Sequence, residues 1–312
     1  MLGAMRAHLV GRSVSSAVAI ALIGGVPAAR ADADALLDTL GPRELAVGGA
    51  GRGGATGGQG VTLNPSGIPL NRELVFEGGY GYRPEDGQSA VGVTACDSTN
   101  AMPGCFFYNY VGASPDVGGM SHERRAHTAG LALSRAVSPQ LSVGTTFKYF
   151  DYNSDLMDEG NSSGVTVDVG ATGRVSETFT LGAVGYNLFG ADSVNFPRAV
   201  GGGTVLRPVP QLALSVDGLW DLDAEDTKGR YGGGAEYFVS ARQGQLGVPL
   251  RLGGAYDTAG DGRTYVTGGI GITGMKFGLD VGAQRQVRGG DELLVTASLR
   301  FFGPRIEAGA LQ

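Results

Sequence analysis

Long apolar runs are scarce in this sequence of 312 residues. The run at Val14–Val26 is shorter than the roughly 20 residues that a membrane-spanning helix needs. It follows Arg6 and Arg12 and precedes the small-residue site Ala29-Arg30-Ala31, an order typical of a secretory signal. We therefore expect a signal peptide over residues 1–31, an exported mature chain and no helical span.

Basic residues are also in short supply, with 24 Lys and Arg against 30 Asp and Glu and a formal net charge of -6. The expected signal peptide carries Arg6, Arg12 and Arg30 and no acidic residue, so the mature chain has 21 basic residues and a charge of -9. This balance disfavours a nucleic-acid partner. An acidic secreted globular protein fits the charge equally well.

Histidine is rare, and only His122 and His127 lie beyond the expected signal peptide. Because both histidines lie close to Ser121 in sequence, one interpretation is a serine hydrolase site on the rim of a barrel. No Gly-x-Ser-x-Gly motif surrounds Ser121, so solvated loop residues before a strand are favoured. Acidic clusters at 151–159 and 221–226 lack the spacing of an EF-hand calcium loop. We predict no catalytic residue, no metal site and no cofactor.

Cysteine is limited to Cys96 and Cys105, which flank a short polar segment. In an exported protein such a pair forms a disulfide by default. A metal site would need further ligands at a suitable spacing, and the sequence offers none. We therefore predict a Cys96–Cys105 disulfide.

Segments of about ten residues with alternating polarity are abundant. In Leu141–Phe150 the apolar Val143 and Phe147 share one parity and the polar Ser142 and Lys148 the other, and Leu212–Leu222 and Lys276–Gln284 alternate likewise. Because no spanning helix is present, this period favours an all-β transmembrane antiparallel barrel, which pairs every backbone group in lipid. A soluble sandwich also alternates, but it has no reason to sort its connections into short turns and long loops.

Parity also predicts which side chains face the lumen. Eight charged side chains belong to this set: Lys148, Asp168, Asp217, Glu236, Arg251, Lys276, Asp280 and Arg300. Mutual pairing and a solute-selective lining are both consistent with that position. Val216 should face lipid, so Val216→Arg should block insertion while Asp217→Arg should be tolerated.

The number of strands is obtained by counting strand-like segments back from the last strand, Glu292–Phe302. Eleven segments begin at about Arg125, so an even barrel needs one or three strands upstream. We favour Glu73–Arg83, Ser89–Cys96 and Cys105–Gly112, which gives 14 strands, with 12 as the alternative. The closing strand ends in an outer-membrane insertion signal at Leu299, Phe301 and Phe302, and residues 303–312 form a periplasmic tail.

Ahead of the barrel, residues 32–72 are rich in glycine and predict a hatch inside the lumen; a disordered linker is the alternative. They contain a stretch from Leu40 to Ala50 and, after it, Leu63-Asn64-Pro65-Ser66-Gly67-Ile68. This resembles the FadL-like family of outer-membrane long-chain fatty-acid transporters and the related type IX secretion shuttle barrels. The resemblance implies a 14-stranded barrel over residues 73–302, and a hatch motif comprising Gly48, Gly49, Asn64, Pro65, Ser66 and Gly67.

The resemblance also implies a function. We expect a bacterial outer-membrane barrel for passive, hatch-gated passage of hydrophobic or amphipathic small molecules such as long-chain fatty acids. The alternative is a barrel that anchors or delivers secreted proteins. The expected partners are a hydrophobic ligand, outer-membrane lipids, lipopolysaccharide and the barrel assembly machinery.

Overall fold

The computed structural model describes residues 41–303 except 157–159, 191–195, 225–228, 242–245 and 259. The expected signal peptide and the tail after residue 303 lie outside the described residues. Within them, fourteen strands form one closed barrel. Its strands are β1 (Leu74–Arg83), β2 (Gln88–Asp97), β3 (Gly104–Ala113), β4 (Arg124–Ala136), β5 (Leu141–Ser154), β6 (Ser162–Arg174), β7 (Phe179–Tyr186), β8 (Ala199–Val209), β9 (Leu212–Asp221), β10 (Gly229–Ala241), β11 (Leu246–Asp257), β12 (Arg263–Gly274), β13 (Phe277–Arg288) and β14 (Leu293–Phe302).

The barrel closes between its first and last strands. β1 pairs antiparallel with β14, from Val75 opposite Phe302 to Tyr82 opposite Val295. β2 and β3 occupy the region that a 12-stranded barrel would leave as one long loop. The prediction of 14 strands is therefore confirmed and the alternative of 12 is wrong. Closure leaves no strand edge unpaired, which lipid requires.

Side chains alternate between the lumen and the outer surface as a strand period of two requires. On β9, Val216 is 65% exposed whereas Asp217 is 5% exposed. On β14, Leu299 and Phe301 point outward, and Phe302 turns inward and packs against the buried cluster that contains Cys96 and Cys105. An outer surface covered with exposed apolar side chains suits lipid and would be unfavourable in water.

Short turns and long loops lie at opposite ends of the barrel. The turn after β8 consists of Pro210 and Gln211, whereas the loops after β3 and β7 span residues 114–123 and 187–198. Lys276 lies in the two-residue turn between β12 and β13 and is exposed, so its predicted lumen position is wrong. Polarity alternates into that turn, and parity alone therefore could not locate where the strand begins.

Residues 41–72, here called the hatch, lie inside the barrel. They contain α1 (Pro42–Leu45), α2 (Gly58–Thr62) and a 3-10 helix (Pro65–Leu70). Leu63 and Ile68 are fully buried, and Ile68 packs in a cluster that includes the predicted disulfide, which is present. This part of the chain is a packed plug rather than a disordered linker. None of the helices among the described residues is long and apolar enough to cross a membrane.

Candidate functional site

Glycines on the inner face of the wall allow the hatch to touch it. A Cβ at Gly282 of β13 would lie 2.5 Å from the carbonyl oxygen of Pro42, and one at Gly144 of β5 would lie 2.5 Å from the carbonyl carbon of Pro65. No side chain fits at such distances. The same close approach occurs at strands between these two, at Gly170, Gly182, Gly232 and Gly253. The hatch therefore follows the inner wall around the lumen, which explains why glycine occupies these wall positions.

The hatch turns sharply after α1 at two residues of the predicted motif. Gly48 and Gly49 both have φ of +76°, a conformation that side chains disfavour. A Cβ at Gly48 would also lie 2.1 Å from the carbonyl oxygen of Gly254 on β11. Glycine is therefore required at Gly48 by both backbone conformation and contact with the wall.

Asn64 organises the second half of the hatch motif. Its Nδ2 donates to the carbonyl oxygen of Arg52 at 3.0 Å, and its Oδ1 accepts from the Ser66 backbone nitrogen at 3.2 Å. This Asn cap starts the 3-10 helix, with Pro65 at its first position. Gly67, two residues after Pro65, lies so close to Ala55 that a Cβ on Gly67 would be 2.0 Å from the Ala55 carbonyl oxygen.

Hydrogen bonds fasten this motif to the wall. The Ser66 and Thr172 hydroxyl oxygens are 2.7 Å apart, and the Ser142 hydroxyl donates to the Ser66 carbonyl at 2.6 Å. Asn64 Nδ2 also lies 3.3 Å from Thr172 Oγ1. Ser66, Asn64 and Thr172 are all buried, so the protein interior shields these bonds from water.

Two ion pairs hold the other parts of the hatch. Arg52 Nη1 lies 3.1 Å from Asp217 Oδ2 on β9, and Arg43 Nη2 lies 2.8 Å from Glu77 Oε2 on β1. Asp217 Oδ2 also accepts from the backbone nitrogens of Gly51 and Arg52. These contacts argue against tolerance of Asp217→Arg, because the substitution would place a second cation against Arg52.

Glu44 is the exception among the buried charged groups of the hatch. Its side chain is buried, and its Oε2 has no hydrogen-bond partner. Burial raises the pKa of the Glu44 carboxyl, while the neighbouring Arg43 opposes the shift. The closed hatch therefore favours the neutral form of this side chain.

Four other predicted lumen residues form ion pairs along the inner wall. Arg251 Nη1 lies 2.7 Å from Asp280 Oδ1, and Arg300 Nη2 lies 2.6 Å from Asp280 Oδ2. Arg251 Nε also contacts Glu236 Oε2 at 2.6 Å. Since these charges are mutually paired, the inner wall does not present a surface of one sign to a solute.

The ion pair between Lys148 and Asp168, which lies farther toward the long-loop end, anchors a loop. Lys148 Nζ lies 2.7 Å from Asp168 Oδ1, and both groups also bind Asn187 of the loop after β7. Asn187 has φ of +52° and donates through Nδ2 to the carbonyl oxygen of Pro197 at 2.9 Å. Lys148 and Asp168 thus fix Asn187, which in turn joins the two described parts of this loop.

Apolar side chains gather in the lumen at the long-loop end. Phe150 and Tyr152 of β5 pack there with Phe196 of the loop after β7. The other buried members are Val111, Ala113 and Ala126. We call these six residues the mouth cluster. Ala90 of β2 packs against it.

A cavity of about 70 Å³ lies beside the hatch. Gly41 and Pro42 of the hatch form part of its lining, as does Ala90, which also touches the mouth cluster. The facing wall contributes mainly small or apolar residues: Gly79, Gly81, Gly92, Leu294 and Thr296. A dry apolar cavity that holds benzene measures about 150 Å³, so a solute of that size does not fit unless part of the lining moves.

Neither histidine takes part in these lumen contacts. His127 Nδ1 lies 2.8 Å from the hydroxyl of Tyr108, and His122 Nδ1 lies 3.1 Å from Asp155 Oδ1. No group of three or more potential metal-binding side chains occurs in the part of the chain that the structure describes.

Sequence reasoning did not find the hatch side chains that grip the wall. Arg43 and Arg52 are isolated cations in a glycine-rich segment, and that isolation was an available signal because buried cations need partners. Tyr186 was also missed; its hydroxyl accepts from Arg52 Nε at 2.9 Å and donates to the Leu63 carbonyl.

Comparisons with known proteins give the fold a context. No family model matches the chain, and no curated protein matches it. Among solved structures, the CymD monoaromatic hydrocarbon channel has a TM-score of 0.64 at 14% identity, covering 86% of this chain and 98% of that one. The Ralstonia pickettii toluene transporter TbuX has a TM-score of 0.62 at 13% identity, covering 86% and 99%. A Pseudomonas aeruginosa FadL homologue has a TM-score of 0.58 at 12% identity, covering 86% and 98%.

The fold and the site define a class: a 14-stranded transmembrane β-barrel with a hatch packed inside its lumen. More particularly, the chain has the FadL-like fold. The 14-stranded barrel that the sequence resemblance implies is therefore confirmed.

Proposed function

We propose that this protein lies in the bacterial outer membrane and lets small hydrophobic molecules cross it passively when the hatch moves. The observation that carries this proposal is the apolar cavity bounded on one side by Gly41 and Pro42 of the hatch. Ala90 lines the same cavity and also packs against the mouth cluster. Apolar surfaces thus extend from the long-loop end of the lumen to the plug.

The chemistry of the lumen supports an uncharged or weakly polar solute. Asp217 and Asp280 are paired with arginines, so neither is available to bind a charged solute. An ion without a partner would lose its hydration in this space, which is strongly unfavourable. The structural neighbours named above include a monoaromatic hydrocarbon channel and a toluene transporter. Hydrocarbons fit this preference directly, and a long-chain fatty acid fits it through its alkyl chain or in its protonated form.

Two further expectations belong to the proposal. Outer-membrane lipids and lipopolysaccharide would surround the apolar outer surface, and the barrel assembly machinery would insert the barrel through the strand that ends at Phe302. Delivery of secreted proteins stays a prediction from sequence, because no contact among the described residues favours it.

Uptake measurements test this function. The barrel would be expressed in a bacterial host that lacks its own channels for hydrophobic solutes, and entry of labelled toluene, oleate and a disaccharide would be followed. We expect toluene, oleate or both to enter faster than in the host alone, with no gain for the disaccharide. Entry of the disaccharide would indicate an open aqueous pore, and no gain for either hydrophobic solute would contradict the proposal.

A further inference from the structure

The cavity beside the hatch exists because two wall glycines there face open space. The atoms nearest to a Cβ on Gly79 would belong to the wall and lie at least 3.5 Å away. The three atoms nearest to a Cβ on Gly81 would all belong to wall side chains, the closest at 3.1 Å. Gly144 and Gly282 differ, since the hatch occupies the space that their side chains would need. The cavity is therefore part of the shape of the wall itself.

Two buried polar side chains interrupt the lining of this cavity. Gln88 of β2 and Thr296 of β14 both line it, on the two strands that flank β1, and they are 3% and 6% exposed. Gln88 Oε1 and Thr296 Oγ1 have no hydrogen-bond partner among the residues that the structure describes. Buried polar groups normally have partners, because leaving one unpaired is unfavourable. The cavity therefore offers two unused hydrogen-bonding groups to a ligand.

Asn109 of β3 adds a third polar group to the lining. It lies opposite Gly92 of β2, and its Oδ1 would be 2.7 Å from a Cβ on that glycine. The amide thus covers the space that a side chain at Gly92 would fill. None of the residues that line the cavity is charged. A ligand that fits this lining is uncharged and forms hydrogen bonds.

These features define the chemistry of the occupant. We propose that the cavity binds the hydroxyl end of an uncharged alcohol, with Gln88 and Thr296 as its hydrogen-bond partners. A hydroxyl group has one donor for Gln88 Oε1 and lone pairs that accept from the Thr296 hydroxyl, directly or through one water. A hydrocarbon would leave both groups unpaired, and a carboxylate or an ammonium group would lose its hydration without gaining an opposite charge. The inference rests on the proposed function, because the alcohol reaches the cavity through the lumen, and it adds alcohols to the solutes.

The size of the cavity limits how much of the alcohol enters. Its volume of about 70 Å³ is under half of the roughly 150 Å³ that holds benzene. A hydroxyl group with one or two carbon atoms therefore fits, whereas a ring does not. Ala90 lines the cavity and also packs against the mouth cluster, so a longer alkyl chain can continue along this small side chain.

Crystals soaked with 2-bromoethanol test the site, because anomalous scattering locates the bromine atom. 1-Bromopropane is the matched probe, since a methyl group replaces the hydroxyl group. We expect 2-bromoethanol in the wild-type cavity, with its oxygen within hydrogen-bonding distance of Gln88 Oε1 or Thr296 Oγ1. In the double variant Gln88→Met with Thr296→Val, the occupancy of 2-bromoethanol relative to 1-bromopropane should fall by roughly two- to tenfold, the factor that one net hydrogen bond is worth.

Gln286→Met is the control variant, and it should leave that ratio unchanged. Gln286 is also buried, but it lies outside the cavity lining, and its Nε2 already donates to the Arg288 carbonyl. If the double variant fails to give a heat-modifiable barrel, Thr296→Val alone takes its place, because valine keeps the shape of threonine and removes only the hydroxyl group.

Toluene uptake by the same variants separates this inference from the proposed function. Binding of 2-bromoethanol in the wild-type cavity without toluene uptake would support the site and contradict passage. If the wild-type cavity takes up no 2-bromoethanol, or if the folded double variant keeps the wild-type ratio, the site is overturned even when toluene uptake continues.

Discussion

Arg52 of the hatch and Asp217 of β9 form an ion pair that is buried on both sides. Asp217 Oδ2 lies 3.1 Å from Arg52 Nη1 and 2.8 Å from the Arg52 backbone nitrogen. One carboxylate oxygen thus fixes both the side chain and the main chain of the hatch. Losing one partner from a buried pair is costly because the other charge stays buried.

Asp217→Asn should therefore loosen the hatch while leaving the barrel assembled. We expect the seated hatch to lose about 3 to 5 kcal/mol, the range for breaking a buried ion pair. Limited proteolysis of the purified, heat-modifiable barrel should then cut within residues 41–72 faster than in the wild type. Asp223→Asn is the control, because its pair with Arg198 is largely exposed and should contribute only about 0 to 1 kcal/mol. Equal cleavage in both variants would contradict the role given to Asp217.

The inward glycines give a second prediction. Gly144→Ala should displace the hatch, because the new Cβ would lie 2.5 Å from the Pro65 carbonyl carbon. Overpacking of this kind destabilises by about 1 to 3 kcal/mol, and thermal unfolding in detergent measures it. Gly78→Ala on β1 is the matched control, since nothing lies within 4 Å of its Cβ. A Gly144→Ala barrel as stable as Gly78→Ala would show that the wall does not need glycine there.

Glu44 makes hatch closure depend on pH. Its pKa is raised by burial in the closed hatch and returns toward the ordinary glutamate value once the side chain reaches water. Closure is therefore fully favoured below the ordinary value and loses that contribution as pH rises through the raised value. Uptake of a neutral hydrophobic solute should therefore increase as the pH rises above the ordinary pKa of a glutamate side chain.

Glu44→Gln is the control for this pH dependence. Glutamine is close to glutamate in shape but does not ionise, so the increase should become smaller. The comparison uses toluene as the solute, because its own charge does not change with pH. An unchanged pH profile in Glu44→Gln would assign the effect to another group.

Local pattern and simple chemistry were enough to predict much of the fold. Alternating polarity placed Val216 outward and Asp217 inward, and the isolated pair Cys96 and Cys105 predicted the disulfide. The requirement for an even number of strands, together with alternating polarity upstream of Arg125, predicted the 14 strands. Each of these inferences depends on neighbouring residues or on one counting rule for closed barrels.

The partners inside the lumen could not be predicted in the same way. Arg52 meets Asp217 across 165 positions of sequence, and that meeting depends on how the hatch curves along the wall. Alternation along the strand shows that Asp217 faces inward but does not show that Arg52 lies against it, and Arg52 is the reason to expect that Asp217→Arg is not tolerated. The lumen position predicted for Lys276 was wrong for a different reason. The alternating polarity of the strand continues into the two-residue turn that holds this exposed side chain.

The central claim is that the hatch must move before a hydrophobic solute crosses. A disulfide between the hatch and the wall would prevent that movement. Ser66 and Thr172 suit this purpose because their hydroxyl oxygens lie 2.7 Å apart, and sulfur atoms placed there are near bonding distance. The double variant Ser66→Cys with Thr172→Cys would be studied oxidised and reduced, beside each single variant. The wild type, which carries its own Cys96–Cys105 disulfide, controls for the reductant.

Toluene uptake through the oxidised and the reduced double variant is the most direct measurement. The proposed passage predicts that oxidation stops uptake and that reduction restores it, while the wild type and both single variants change little. Uptake at the wild-type rate through the fully oxidised double variant would show that solutes cross without displacing this part of the hatch, and would contradict the claim.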